Sequence, residues 1–76
     1  MLSCPRCGRE LETVFTIEEN EYLTFDVVHF EICRRCRIGF KQGIIETFDT
    51  YEEAEQFIYK DMEAFVEDLS DYALLP

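Results

Sequence analysis

Tryptophan is absent from this 76-residue chain, histidine occurs once, proline twice and glycine three times. So little glycine and proline excludes long flexible linkers. A single histidine, His29, would have to serve every nucleophile–base scheme, so no Ser-His-Asp or Cys-His pair can be assembled. It reads instead as an edge or partly buried strand residue. Basic residues are also scarce, seven against 17 acidic ones, for a net charge of −10. A surface this acidic is repelled by bulk nucleic acid. No apolar run approaches the ~20 residues of a membrane span. Cys4 follows Met1 too closely to leave room for the apolar core of a secretory signal, so a cytoplasmic location is expected.

What is present is apolar and aromatic. Hydrophobic residues make up 47% of the chain, with seven Phe and four Tyr. That supports a packed core and argues against wholesale disorder. The core is nonetheless small. A domain near this length buries only about 60% of the surface its unfolded chain exposes. Chains below about 70–80 residues usually need a disulfide, a metal or a partner as a staple, and the four cysteines are the obvious supply.

The chain reads as one domain, residues 1–76, with two textures. Residues 1–48 hold all four cysteines and six of the seven basic residues; residues 50–70 form an acidic amphipathic pattern. Leu11–Ile17 predicts a first strand with Leu11, Thr13, Phe15 and Ile17 on one face. A polar turn, Glu18–Glu21, leads to a second strand over Tyr22–Ile32, rich in aromatic and β-branched residues. Its apolar register changes midway. Phe25 and Val27 share one face, and Val28, Phe30 and Ile32 the other, which requires either a bulge near Val27–Val28 or burial of both faces. A third strand is predicted over Phe40–Phe48, with Phe40, Ile44 and Phe48 on one face. Thr50 and Glu53 then form a capping box. Apolar residues recur at Ala54, Phe57, Ile58, Met62, Phe65, Val66 and Leu69, the spacing of a helix of about five turns. The tail Asp71–Pro76 either docks its apolar residues or frays.

The chemistry resides in the cysteines. Cys4-Pro-Arg-Cys7-Gly8 is followed by 25 residues, Gly8 to Ile32, and then Cys33-Arg-Arg-Cys36. Two C-x2-C pairs predict one tetrahedral zinc site, because each short loop can turn both sulfurs toward a point about 2.3 Å away. Four sulfur ligands close the coordination sphere, which makes the metal structural and leaves no open position for catalysis. Gly8 suits the positive φ of a tight turn after the first pair. Arg37 stands at the equivalent place after the second pair, a departure expected to distort that turn. Two other readings of the cysteines exist. One is a pair of redox or disulfide-forming units, against which stand the β-strand context and the lack of an export signal. The other is an iron site of rubredoxin type, making an electron-transfer protein, which the absence of tryptophan and the long helical pattern disfavour.

Arg6, Arg9, Arg34, Arg35 and Arg37 all flank the cysteines. Nearby cations offset the charge of a four-thiolate centre and favour thiolate. Arg34, Arg35 and Arg37 are also the candidate contact residues if the chain is a nucleic-acid-associated transcription accessory factor, a reading opposed by the negative charge elsewhere and by the lack of an aromatic–basic strip. The acidic helix face reads as solvated. Its apolar face must pack on the sheet or on a second chain, which would give a homodimer through the C-terminal helix. With no nucleophile–base pair, open metal or phosphate loop, no enzyme is expected.

The Cys4-Pro-x-Cys7-Gly8 start, the β-rich insert, Cys33-x-x-Cys36 and the acidic helix from about Glu52 resemble the N-terminal zinc-binding domain of YgiT/MqsA-type antitoxins. The layout is also similar to TFIIB-type zinc fingers, whose insert is usually shorter. The antitoxin resemblance implies a structural zinc on Cys4, Cys7, Cys33 and Cys36 and a surface that binds another protein. It also implies that the DNA-binding domain of that family is missing here. The fold class expected is therefore α+β: a small zinc ribbon with a three-stranded antiparallel sheet, then one long C-terminal amphipathic helix. The function expected is a non-enzymatic, regulatory protein-binding module.

Overall fold

A computed structural model of the chain describes residues 2–75; Met1 and Pro76, the ends of the expected 1–76 domain, lie outside the described residues. The elements are β1 (Glu12–Glu19), β2 (Phe25–Cys33), β3 (Ile38–Phe48), α1 (Tyr51–Lys60) and β4 (Ala73–Leu75). They form one four-stranded sheet in the order β1-β2-β3-β4. The first three strands are antiparallel, and β4 runs parallel to β3. No helix is long and apolar enough to cross a membrane among the described residues.

β1 and β2 pair without interruption from Glu12↔Ile32 to Glu19↔Phe25. The loop between them is tied by Asn20. Its Oδ1 accepts the backbone N–H groups of Tyr22 and Thr24, at 2.9 and 3.2 Å, and the Thr24 hydroxyl at 3.0 Å. Its Nδ2 donates to Asp26, which also accepts the Thr47 hydroxyl. The buried Asp26 carboxylate is thus satisfied, as a buried charge must be.

The β2–β3 pairing breaks register twice, between Val27 and Val28 and between His29 and Phe30. Each break leaves an extra residue on β3, Ile45 opposite the first and Gln42 opposite the second. The apolar switch in the β2 sequence therefore has both expected signatures. Both faces of β2 are buried, and the bulge lies beside Val27–Val28 but in the neighbouring strand. The bulges also correct the expected face of β3. Phe40 and Phe48 pair with Glu31 and Phe25 on the front of the sheet, whereas Ile44 pairs with Val28 on the back. A bulge reverses the alternation of side chains beyond it.

The front of the sheet carries Phe15, Ile17, Phe25, Val27 and Phe48 beneath α1, which buries Ala54 and Ile58 against them. Thr50 caps the helix by accepting the Glu53 N–H. Burying Ile58 and the valines stabilises the fold by about 1.5–3 kcal/mol per side chain.

The expected fold class needs correction on two counts: the helix is short and the sheet has four strands. The helix ends at Lys60, after ten residues. Met62 N–H reaches back to the Phe57 carbonyl and Ala64 N–H to that of Ile58, with Glu63 at φ 51° between them. This left-handed termination has no glycine to announce it. Beyond it, Met62, Ala64 and Val66 still pack on the front cluster, while Phe65 points outward at 78% exposure. Val66 bridges to Phe15 on the outer edge of β1, and the Glu67 N–H donates to the Phe15 carbonyl. The chain then turns behind the sheet. Leu69 and Tyr72 pack on Val14, Val28, Phe30 and Ile32, and β4 joins β3 at Ile38–Phe40. Residues 66–75 are a strap that passes from one border of the sheet to the other. A single helix covers one face only, and the back face of β2 needs a second cover, so packing overrides the helical spacing.

Candidate metal centre

Two turns bring the cysteines together at one end of the sheet. The first is the tip of a small hairpin, closed by the Ser3–Glu10 bridge and by Cys4 N–H donating to the Arg9 carbonyl at 2.7 Å. The Gly8 N–H donates to the Cys4 carbonyl, and Gly8 adopts φ 77° as its position requires. The second turn joins β2 to β3 and is held by Cys36 N–H donating to Cys33 Sγ at 3.5 Å. Arg37 adopts φ 54° there. The second turn is therefore not distorted by the missing glycine: arginine takes the left-handed conformation, at a cost of roughly 1–2 kcal/mol.

All four sulfurs of Cys4, Cys7, Cys33 and Cys36 lie within 4.8 Å of one another. Cys4 and Cys36 are 3.7 Å apart and Cys7 and Cys33 3.6 Å. Four ligands about 2.3 Å from one cation stand about 3.8 Å apart along each tetrahedral edge. The separations fit that figure and are far from the ~2.05 Å of a disulfide; all four cysteines are free. Cys4 and Cys33 are buried with Ile38 beneath Leu11 and Phe40, Cys36 is half-buried and Cys7 exposed. The four sulfurs, on an apolar floor and with one of them exposed, are positioned to bind one metal ion.

The sulfurs perturb one another. Burial pushes the Cys4 thiol up, but hydrogen bonds from the backbone of Cys7 and Arg6 and from the Cys33 and Cys7 side chains outweigh it and bring it down to about 6. Cys36 is pushed up to about 12, by burial first and then by the three sulfurs around it. The Cys4 thiolate forms readily while Cys36 resists ionisation, so a cation must displace the Cys36 proton to bind.

The three candidate contact arginines have different surroundings. Arg34, between two ligands, is paired with two carboxylates of the chain. Its Nε and Nη2 donate to the Glu12 carboxylate at 2.6 and 3.0 Å, and Nη2 also donates to Glu67 at 2.6 Å. Arg37 stands 3.8 Å from Asp71. Arg35, like Arg6 and Arg9, is exposed. Arg34 holds Glu12 below the usual carboxylate range. Neither acidic partner of Arg34 carries a sequence signal: Glu12 is the first residue of β1 and belongs to no motif, and Glu67 falls on the acidic face of the expected helix, which reads as solvated. His29 is half-buried, its ring 5.6 Å from that of Phe15 and its Nε2 3.7 Å from Glu31. Comparison of the chain with protein-family models, with curated proteins and with solved structures finds no match.

Proposed function

We propose that the chain is a non-enzymatic protein-binding module of zinc-ribbon type, in which one zinc ion on Cys4, Cys7, Cys33 and Cys36 staples the end of a small sheet. The observation that carries this reading is the convergence of four free sulfurs at tetrahedral spacing. A complete sulfur shell leaves no coordination position for water or substrate, which suits a structural ion. The partner is another protein, met in the cytoplasm, in the regulatory role that the antitoxin resemblance implies. The engagement of Arg34 by Glu12 and Glu67 weighs against nucleic-acid contact, since a guanidinium already committed to two carboxylates has few donors left for phosphate.

Metal analysis of protein purified without added metal tests the core of this reading. One equivalent of zinc in a colourless sample is expected. A red sample with one iron would make it an electron-transfer protein, and a metal-free, chelator-insensitive fold would remove the staple altogether. For the partner, the expected result is a defined protein that co-purifies with the wild-type chain and is lost with Cys33→Ser. Recovery of nucleic acid in a salt-sensitive complex would overturn it.

A further inference from the structure

The second cysteine turn does more than present ligands. Two side chains of the strap, Glu67 and Asp71, are paired with arginines of this turn. Arg34, between Cys33 and Cys36, grips Glu67 where the strap leaves the β1 border, and Glu12 at the start of β1 holds the same guanidinium in place. Arg37, directly after Cys36, accepts the Ala73 N–H on its carbonyl at 2.9 Å and faces Asp71. β4 pairs with β3 only at Ile38–Phe40, the first three residues after the turn. Strap and strand also approach closely there: a β-carbon on Gly39 would lie 2.9 Å from Leu74 Cδ2 and 3.2 Å from Ile32 Cγ2. The turn itself is under strain, because Arg37 is a non-glycine residue at φ 54°.

Such a conformation persists only where its surroundings over-determine it. Four sulfurs on one cation would do so. Without the cation nothing ties the sulfurs of this turn to those of the first, and the turn is free to relax. The carbonyl that receives Ala73 and the guanidinium that grips Glu67 then move together.

We propose that metal binding at the four cysteines locks the strap, residues 66–75, onto the back of the sheet, and that metal loss releases it ahead of the rest of the domain. The inference rests on the metal reading above. Release uncovers Val14, Phe30 and Ile32 on the back face and the Ile38–Phe40 border of β3. The two ends of the strap's attachment, Arg34 and Arg37, make the metal site a switch for an apolar surface that the loaded protein hides. By linkage, whatever the metal does for the strap the strap does for the metal, by the same factor.

Two measurements on the full chain decide this. The first is amide hydrogen exchange of the zinc-loaded protein before and after addition of a chelator, with metal content measured on the same sample. The amides of Glu67 and Ala73 should lose protection at least ten-fold while those of Val28, Phe30 and Asp61 keep theirs. Unchanged strap amides, or equal loss at every amide, would overturn the proposal while leaving a bound structural zinc intact; a wild-type chain with no metal would overturn the metal reading as well. The second is zinc competition against a chromophoric chelator for two uncharged cavity variants. Leu69→Ala removes a strap side chain from the back cluster and Ile58→Ala a helix side chain from the front cluster, and neither residue belongs to the cluster around the cysteines. Leu69→Ala should weaken zinc binding by about five-fold, the low end of ordinary coupling, and Ile58→Ala should leave it within two-fold. Equal weakening by the two variants, or none by Leu69→Ala, would refute the coupling.

Discussion

Replacement of Cys33 by serine separates the loss of a metal from the loss of a side chain. Cys33 is 3% exposed, and its sulfur lies 3.6 Å from that of Cys7. Serine is close in size but brings a hydroxyl into a buried site, so the side-chain cost alone is about 1–3 kcal/mol. The metal is a larger matter. Structural zinc contributes on the order of 10 kcal/mol in small sites, whereas a domain of this size has a total stability of about 4–11 kcal/mol. In a domain of 60–100 residues each kcal/mol moves Tm by about 4–8 °C. The side-chain defect alone would therefore lower Tm by about 4–24 °C. Loss of the ion would remove a larger share of that stability, and Cys33→Ser should melt more than about 25 °C below the wild type, with the strap opening ahead of the β1–β3 and α1 body. Circular dichroism melts with metal stoichiometry on the same samples provide the assay. A variant that melts within 10 °C of the wild type, with the wild type unaffected by chelator, would refute the reasoning.

Glu12→Gln should flatten the acid limb of the stability curve. Arg34 holds the Glu12 carboxyl below its ordinary value, so its contribution is fully present above about pH 4.3 and is lost as pH falls through the lowered value. Both partners are about half exposed, which limits the effect to under about 1 kcal/mol; melts from pH 7 to 2 should converge for the two proteins, and a gap that persists at pH 2 would contradict the pairing. Glu63→Gly should raise Tm, because glycine relieves the φ 51° conformation at the helix end; about 1 kcal/mol is expected, and a fall in Tm would place the helix terminus elsewhere. Asn20→Ala removes the acceptor for three donors in the β1–β2 loop and a donor to buried Asp26. It should cost about 2–3 kcal/mol in chemical denaturation, and an effect under 0.5 kcal/mol would show the loop to be held by other means.

The strands, the helix start and the metal ligands were legible in the sequence because each rests on a local rule. Alternation marks β1, the Thr50–Glu53 pair marks the start of α1, and two C-x2-C pairs mark the sulfur cluster. The path after Lys60 was not legible. Met62, Phe65, Val66 and Leu69 keep a helical period, yet Met62 and Val66 lie on the front cluster, Phe65 in solvent and Leu69 on the back. No glycine or proline marks the stop, since Glu63 takes the left-handed conformation unaided. One signal did carry the answer. Val27 and Val28 in adjacent positions, flanked by apolar residues on both faces, meant a strand covered from two sides, and one helix supplies one cover. Three-residue β4 is below what periodicity can mark. The conformation of Arg37 was hidden for the opposite reason: the knuckle geometry, imposed by distant cysteines, overrode the local preference of the residue.

The two surplus residues in β3 bear on how the molecule keeps to itself. β4 shields only Ile38–Phe40, so from Lys41 onward the outer backbone of β3 meets water, with Ile44 and Ile45 exposed nearby. An even ladder there would be a template for a strand from any neighbouring copy. Gln42 and Ile45 instead kink the ribbon twice within four residues and throw its donors and acceptors out of step. An approaching strand finds no stretch long enough to zip against, which protects a short, aromatic-rich chain from growing into fibrils along this margin.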